Sequence, residues 1–246
     1  MTNPLIAKLE HFTRLSPEDK ASLDMLLQSR LQTVEAGEDI SAEGEAPSSM
    51  NIIVKGWAFR YKQLADGRRQ IVAFFLPGDV CDNNVFILKE MDHSIGALTR
   101  VHLVQVTRNV FEDLMLRHPR VTQALWWETL VNMAIQREWT VNLGQRTAFE
   151  RMAHLFCELF IRLRMVGETT GSSFEMPAKQ SDLAEATGLS TVHVNRTLQE
   201  LRSLGLITLK QKTLTILDLD ALMRAAMFSP NYLHLDRDGR HLDSNA

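Results

Sequence analysis

Between about residue 31 and residue 107 the apolar positions come in short runs: NIIV (51–54), WAFRY (57–61), IVAFFL (71–76) and VHLVQV (101–106). Turn residues separate the runs at roughly ten-residue intervals: Gly37, Gly44, Gly56, Asp66-Gly67 and Pro77-Gly78. That spacing predicts a small antiparallel β-roll. Asp66-Gly67 predicts a hairpin, because glycine accepts the positive φ such a turn needs. On either side the period lengthens. Residues 4–30 predict helix, with Ser16 as N-cap, Pro17 at the first helical position, Asp19 completing a capping box, and Leu23, Leu26 and Leu27 turned inward. Residues 108–118 predict a short helix that Pro119 ends or redirects. Residues 119–144 predict a long one, in which Trp127, Val131, Ala134, Glu138 and Val141 are spaced 4, 3, 4, 3, with Leu130 sharing much of the stripe. A heptad-like stripe suits a coiled-coil seam between two chains; packing against the chain's own β-roll is the alternative.

After Gly144 the helical pattern restarts over 147–166, and GETTGSSF (167–174) has the composition of a loop. The next stretch, ATGLSTVHVNRTLQEL (186–201), has two periods. Val192 and Val194 alternate with His193 and Asn195 as in a strand, whereas Val194, Leu198 and Leu201 fall on one helical stripe. Length decides: no turn signal comes before Gly205, and Ser190 is a ready N-cap. A short helix over 180–186, a turn at Thr187-Gly188-Leu189-Ser190 and a helix to about Leu204 make a helix-turn-helix. LITLKQKTLTIL (206–217) then predicts a two-stranded wing turned at Gln211-Lys212.

Such a second helix enters the major groove. Opposite Val194 and Leu198 stand Thr191, Val192, Asn195 and Arg196. Arginine can donate twice to guanine, asparagine can bracket adenine, and a valine can offer only an apolar contact. Lys179, Lys210 and Lys212 suit phosphates, which fix register and make binding salt-sensitive. Gln180, Ser190 and His193 complete the predicted DNA-contacting set.

Charge narrows the picture. The formal net charge is −3, so any nucleic-acid contact must come from a local face. With 45% hydrophobic residues the chain can build a real core. The two cysteines, Cys81 and Cys157, are far apart and fit neither a disulfide framework nor a metal-ligand spacing. No signal peptide and no window of membrane-spanning length is read, so the expected compartment is the cytoplasm. With no nucleophile elbow, no phosphate loop and no metal-spaced His/Cys/Glu set, an enzyme is not expected.

In this order of elements the chain resembles the Crp/Fnr family of bacterial transcription regulators over roughly residues 5–217. GLSTVHVNRTLQELRSLGLI and the glycine-punctuated roll ending in FFLPGD carry the resemblance. It implies an α+β fold: an N-terminal cyclic-nucleotide-binding-like antiparallel β-roll (a double-stranded β-helix), a long dimerisation helix and a C-terminal winged helix-turn-helix. The expected divisions are 1–118, 119–145, 146–218 and a short helix with a polar tail over 219–246. It also implies a homodimer on a two-fold double-stranded DNA operator, RNA polymerase as a partner, and Arg196 as the base-reading arginine. Val192 stands where the family often has an acidic residue, and Asn195 where Ser or Gly is frequent. The dimer set is then Trp127, Leu130, Val131, Ala134 and Val141, with a hinge near Asn142–Arg146. Members that bind cyclic nucleotides hold the phosphate with a Gly-Glu pair and an arginine. GDVCDNNVFILKEMDHSIGALTRV (78–101) lacks both and sets Met91 at the arginine, so cAMP is not expected. Residues 1–30 hold no cysteine, which sets aside an N-terminal iron–sulfur sensor. The effector or redox signal in the roll is unknown, and a redox or haem role for Cys81 or His93 stays open beside an ordinary packed thiol and histidine. The alternative function is a small-molecule-binding module acting through protein partners.

Overall fold

The computed structural model describes residues 3–29, 31–83 and 85–235; the predicted polar tail beyond 235 lies outside them. The chain separates into two compact units. One holds residues 1–60, 74–134 and 231–246, the other 61–73 and 135–230.

In the first unit, the N-terminal helical stretch is two helices, α1 (Pro4–Leu9) and α2 (Pro17–Ser29). The predicted capping box opens the second: the Ser16 amide donates to Asp19 Oδ2 at 2.9 Å, and the Asp19 amide to Ser16 Oγ at 3.1 Å. Among the described residues eight strands follow, of which β4 and β5 run on into the second unit: β1 (Leu31–Val34), β2 (Asp39–Ser41), β3 (Ser49–Lys55), β4 (Ala58–Gln63), β5 (Arg69–Phe75), β6 (Val80–Cys81), β7 (Ser94–Ala97) and β8 (Val101–Thr107). They form two four-stranded sheets, β1-β8-β3-β6 and β2-β7-β4-β5. Ile53, Phe75, Cys81, Ile95, Val101 and Leu103 fill the space between, each buried. The register β3–β8 sets Asn51 opposite Gln105, and β3–β6 sets it opposite Cys81. Gly56 turns the chain between β3 and β4 at φ 87; a Cβ there would run into the Arg100 carbonyl. α3 (Arg108–Arg117) ends just before Pro119, as expected, and Pro119 starts α4 (Pro119–Gln145).

Beneath the PGD turn, Lys8 of α1 is buried with its ammonium 2.6 Å from Asp79 Oδ1 and 2.5 Å from Glu128 Oε1 of α4. Asp79 also accepts the Leu76 amide at 2.7 Å. A lysine in PLIAKLEHF looks like a solvent residue in sequence; the sequence carries no sign of this cluster.

The second unit contains α5 (Ala148–Met165), β9 (Ser173–Glu175), α6 (Gln180–Thr187), α7 (Thr191–Ser203), β10 (Ile207–Lys210), β11 (Thr213–Ile216) and α8 (Leu219–Ala225). Thr147 and Glu150 cap α5 reciprocally. The wing hairpin is a three-stranded sheet, because β9 pairs with β11, Phe174 opposite Leu214. That strand lies where a loop was expected. It has three residues and one buried apolar side chain, too few for any period to register.

Candidate nucleic-acid interface

α6 and α7 meet at Gly188, which sits at φ 65 where the α6 C-cap must turn left-handed. Ser190 Oγ accepts the His193 amide at 3.3 Å, so α7 starts at the predicted N-cap. Val194, Thr197, Leu198 and Leu201 bury one face of α7, and the opposite face is left to solvent. All ten predicted contact residues are exposed: Lys179, Gln180, Ser190, Thr191, Val192, His193, Asn195, Arg196, Lys210 and Lys212. Arg196 makes no hydrogen bond or ion pair among the described residues, so its fork of donors is available. The Asn195 amide reaches Gln180 Oε1 at 3.4 Å, which links the two helices. Gln199 shares the exposed face one turn beyond Asn195 and was missed; its i+4 spacing was the available signal. The wing turns through Gln211 and Lys212, at φ 47 and 61, and this presents both lysines at its tip.

Arg151 was also missed. Its guanidinium donates to the Thr187 carbonyl at 2.5 Å, and to Leu143 and Arg146 carbonyls at 3.3 and 3.0 Å. It thereby ties the end of α6 to the end of α4, where unpaired carbonyls favour a cation. Close by, in the predicted hinge, Arg146 donates to Glu138 at 3.1 Å and to Asn142 Oδ1 at 2.9 Å, and Asn142 Nδ2 meets His154 Nδ1 at 3.1 Å. His154 is fully buried against Phe228, ring centroids 4.8 Å apart. Burial, helped by the Arg146 charge, lowers its pKa to about 3. The Glu138 carboxylate, 3.5 Å away, is committed to Arg146 and does not reverse this. The native state therefore stays neutral where the unfolded chain takes up a proton. Stability is full above the ordinary histidine pKa and falls as pH drops through it toward about 3. Denaturant unfolding at about pH 5 should show about 2 kcal/mol less stability than at neutral pH, from 1.36 kcal/mol per unit. His154→Gln should remove that part of the slope.

On α4 the structure separates the predicted dimer set. Val131 and Ala134 are buried within the chain, and Trp127 stacks on Phe12 with centroids 6.3 Å apart. Leu130 and Val141 are exposed, together with Trp126 and Met133. The outward stripe is thus Trp126, Leu130, Met133 and Val141, and the correction removes Trp127, Val131 and Ala134 from it. Both faces of α4 are apolar, so a period of 3.5 alone does not say which face is inward.

In the roll, a cavity of about 70 Å³ is lined by Asn51, Cys81, Asp82 and Met91 among others. Met91 is buried, as the wall of a cavity requires. His93 is held from both ring nitrogens, by Asp92 at 2.6 Å and Asp82 at 2.9 Å. Burial pushes the Asp82 carboxyl up, but the His93 hydrogen bond and the Arg60 charge outweigh it and hold it below its usual range. Burial pushes the Cys81 thiol well up and the Cys157 thiol up to about 12, so both stay protonated.

Two family models match: a cyclic nucleotide-binding domain over residues 31–118 and a Crp-like helix-turn-helix domain over residues 150–225. The chain belongs to the Crp/Fnr family of transcription regulators. Its Crp/Fnr relatives include the transcriptional activator protein FnrL of Cereibacter sphaeroides, 28% identical over 81% of this chain and 80% of that protein. The nitrogen fixation regulation protein FixK of Bradyrhizobium diazoefficiens is 27% identical over 74% and 76%. The solved structure of FixK2 from Bradyrhizobium japonicum superposes with a TM-score of 0.72 at 25% identity, over 81% of this chain and 98% of that one. A CRP-family regulator from Thermus thermophilus shares the fold, with a TM-score of 0.63 at 21% identity over 80% and 97%. Crp/Fnr proteins are transcription regulators, not enzymes. Among the described residues no helix is long and apolar enough to cross a membrane.

Proposed function

We propose that the protein is a homodimeric transcription regulator of the cytoplasm. In this reading it binds a two-fold DNA operator through α7 and the wing, acts on RNA polymerase and answers to an effector in the β-roll. The observation that carries the reading is the unpaired, outward Arg196 on the exposed face of a helix whose other face is locked into the core. Val192, Asn195 and Gln199 extend the reading surface, while Lys179, Lys210 and Lys212 set register on phosphates. The outward stripe of α4 supplies the seam. Two α7 helices related by that seam would meet half-sites one DNA turn apart, roughly 34 Å.

Selection from a random duplex library should return a two-fold symmetric site with half-sites one turn apart, bound by a dimer in light scattering. Met133→Glu sets a charge on the exposed stripe without touching the protomer core. It should give a folded monomer that loses the selected site. A library that returns no preferred sequence at low salt would instead favour a module acting through protein partners.

A further inference from the structure

The family's name-giving ligand carries a phosphodiester, and the roll of this chain does not suit one. Among the described residues the cavity is lined by no lysine or arginine. Arg60, the cation behind Asp82, is ion-paired to Asp82 and lies over the Phe75 ring, 4.9 Å from its centroid. An anion entering the cavity would meet the carboxylates of Glu45 and Asp82, and the nearby cation, Arg60, is already committed to Asp82.

What the cavity does offer is an acceptor. Asn51 is 5% exposed, and its Oδ1 is enclosed with no hydrogen-bond partner. Its cross-strand neighbours on the same face are accounted for. Gln105 Oε1 accepts from Gln32 Nε2 at 2.8 Å, and Cys81 is a protonated thiol whose sulfur counts as apolar wall. An orphan amide oxygen inside a core costs free energy, and most such groups are paired. The rest of the wall is mixed: Ile40, Val85, Met91 and Ile95 share it with Ser41, Ser48 and Ser49. Its rim is fixed from both sides, since the Gly44 amide donates to the Met91 carbonyl and the Met91 amide to the Glu45 carbonyl, both at 2.8 Å. A volume of about 70 Å³ is well above the roughly 10–15 Å³ that admits one water. It has room for a compact molecule of several heavy atoms.

We propose that this cavity is the effector site, and that its ligand is a compact, non-anionic molecule with a hydrogen-bond-donating head, held by Asn51 Oδ1. The inference deepens the effector part of the proposed function. Its test reads binding to the protein directly, so its failure leaves the DNA-binding reading standing, and a failed operator selection leaves the cavity result standing.

The test uses three probes with one carbon skeleton, isobutyramide, isobutylamine and isobutyrate, together with inorganic phosphate and cAMP. Each is titrated into the full-length protein by calorimetry and thermal shift. The amide and the amine should bind saturably and raise Tm, and the three anions should not. Asn51→Leu removes the orphan oxygen and leaves an apolar wall, a change that is neutral or stabilising when a buried polar group had no partner. It should fold with an unchanged or higher Tm and bind the amide at least about tenfold more weakly, the effect of one lost hydrogen bond. Asn51→Asp, of the same shape, should favour the amine over the amide. Equal binding of isobutyrate, binding of phosphate or cAMP in its place, unaltered amide affinity in Asn51→Leu, or no binding of either donor probe would each overturn the proposal.

Discussion

Replacing Lys8 with methionine should cost the N-terminal unit about 3–5 kcal/mol, the penalty for removing one partner of a buried ion pair. The size follows from the arrangement. Lys8, Asp79 and Glu128 are all buried, Glu128 completely, and the ammonium lies between the two carboxylates at 2.6 and 2.5 Å. Methionine fills the aliphatic stem of the lysine, so packing is nearly conserved and the loss is electrostatic. Within the trio one ammonium faces two carboxylates, an excess of one negative charge. Lys8→Met adds a second, and two like charges in a low-dielectric site repel strongly. The double variant Lys8→Met/Glu128→Gln removes one of the two carboxylates and should therefore be more stable than Lys8→Met alone. That ordering separates a charge effect from a packing effect, since a lost methylene contact would not be repaired by Glu128→Gln. Urea unfolding of the two variants and the parent measures it. A Lys8→Met protein within about 1 kcal/mol of the parent would mean that the ion cluster contributes little net stability, as exposed pairs do.

Most of the architecture was legible because each part rests on a local rule. The glycines at 37, 44, 56, 67 and 78 all take positive φ, which is why the intervals between them marked the strands. Ser16, Thr147 and Ser190 each accept a helix-start amide. The opposing periods in the 186–201 stretch were settled by length and by the Ser190 cap, and the helix that won leaves Arg196 in solvent. What was not legible depends on partners distant in sequence. Lys8 is 120 residues from Glu128, and its burial follows from α1 lying over the PGD turn, where a Cβ on Gly78 would meet the Pro4 carbonyl. β9 exists only because β11 has an edge to offer. On α4 the sequence shows two apolar stripes, and only packing decides that Val131 and Ala134 face inward while Leu130 and Met133 face out. Within the interface, Gln199 was legible by the same spacing that gave Asn195. Arg151 was not, because a cation inside an apolar helix finds its carbonyl partners only after α4 and α6 have folded.

Arg196→Ala should weaken binding to the selected operator by about 2–6 kcal/mol, from about 1–3 kcal/mol for each bidentate base contact and two symmetry-related contacts per dimer. Stability should not change, because the side chain has no partner within the described chain to lose and its removal leaves no cavity. The loss should be confined to specific binding. The lysines at 179, 210 and 212 remain, so affinity for unrelated duplex and the dependence on salt should stay close to the parent's. Repeating the selection with the variant should relax one base pair in each half-site and leave the rest of the pattern intact. Lysine at position 196 is the informative control: it restores the charge and the phosphate attraction but not the planar fork, so it should recover nonspecific affinity without recovering the base preference. If Arg196→Ala instead reduced affinity evenly across all sequences and lowered the salt slope by about two, one for each protomer, the guanidinium would be a phosphate contact. Base reading would then pass to Asn195 and Gln199.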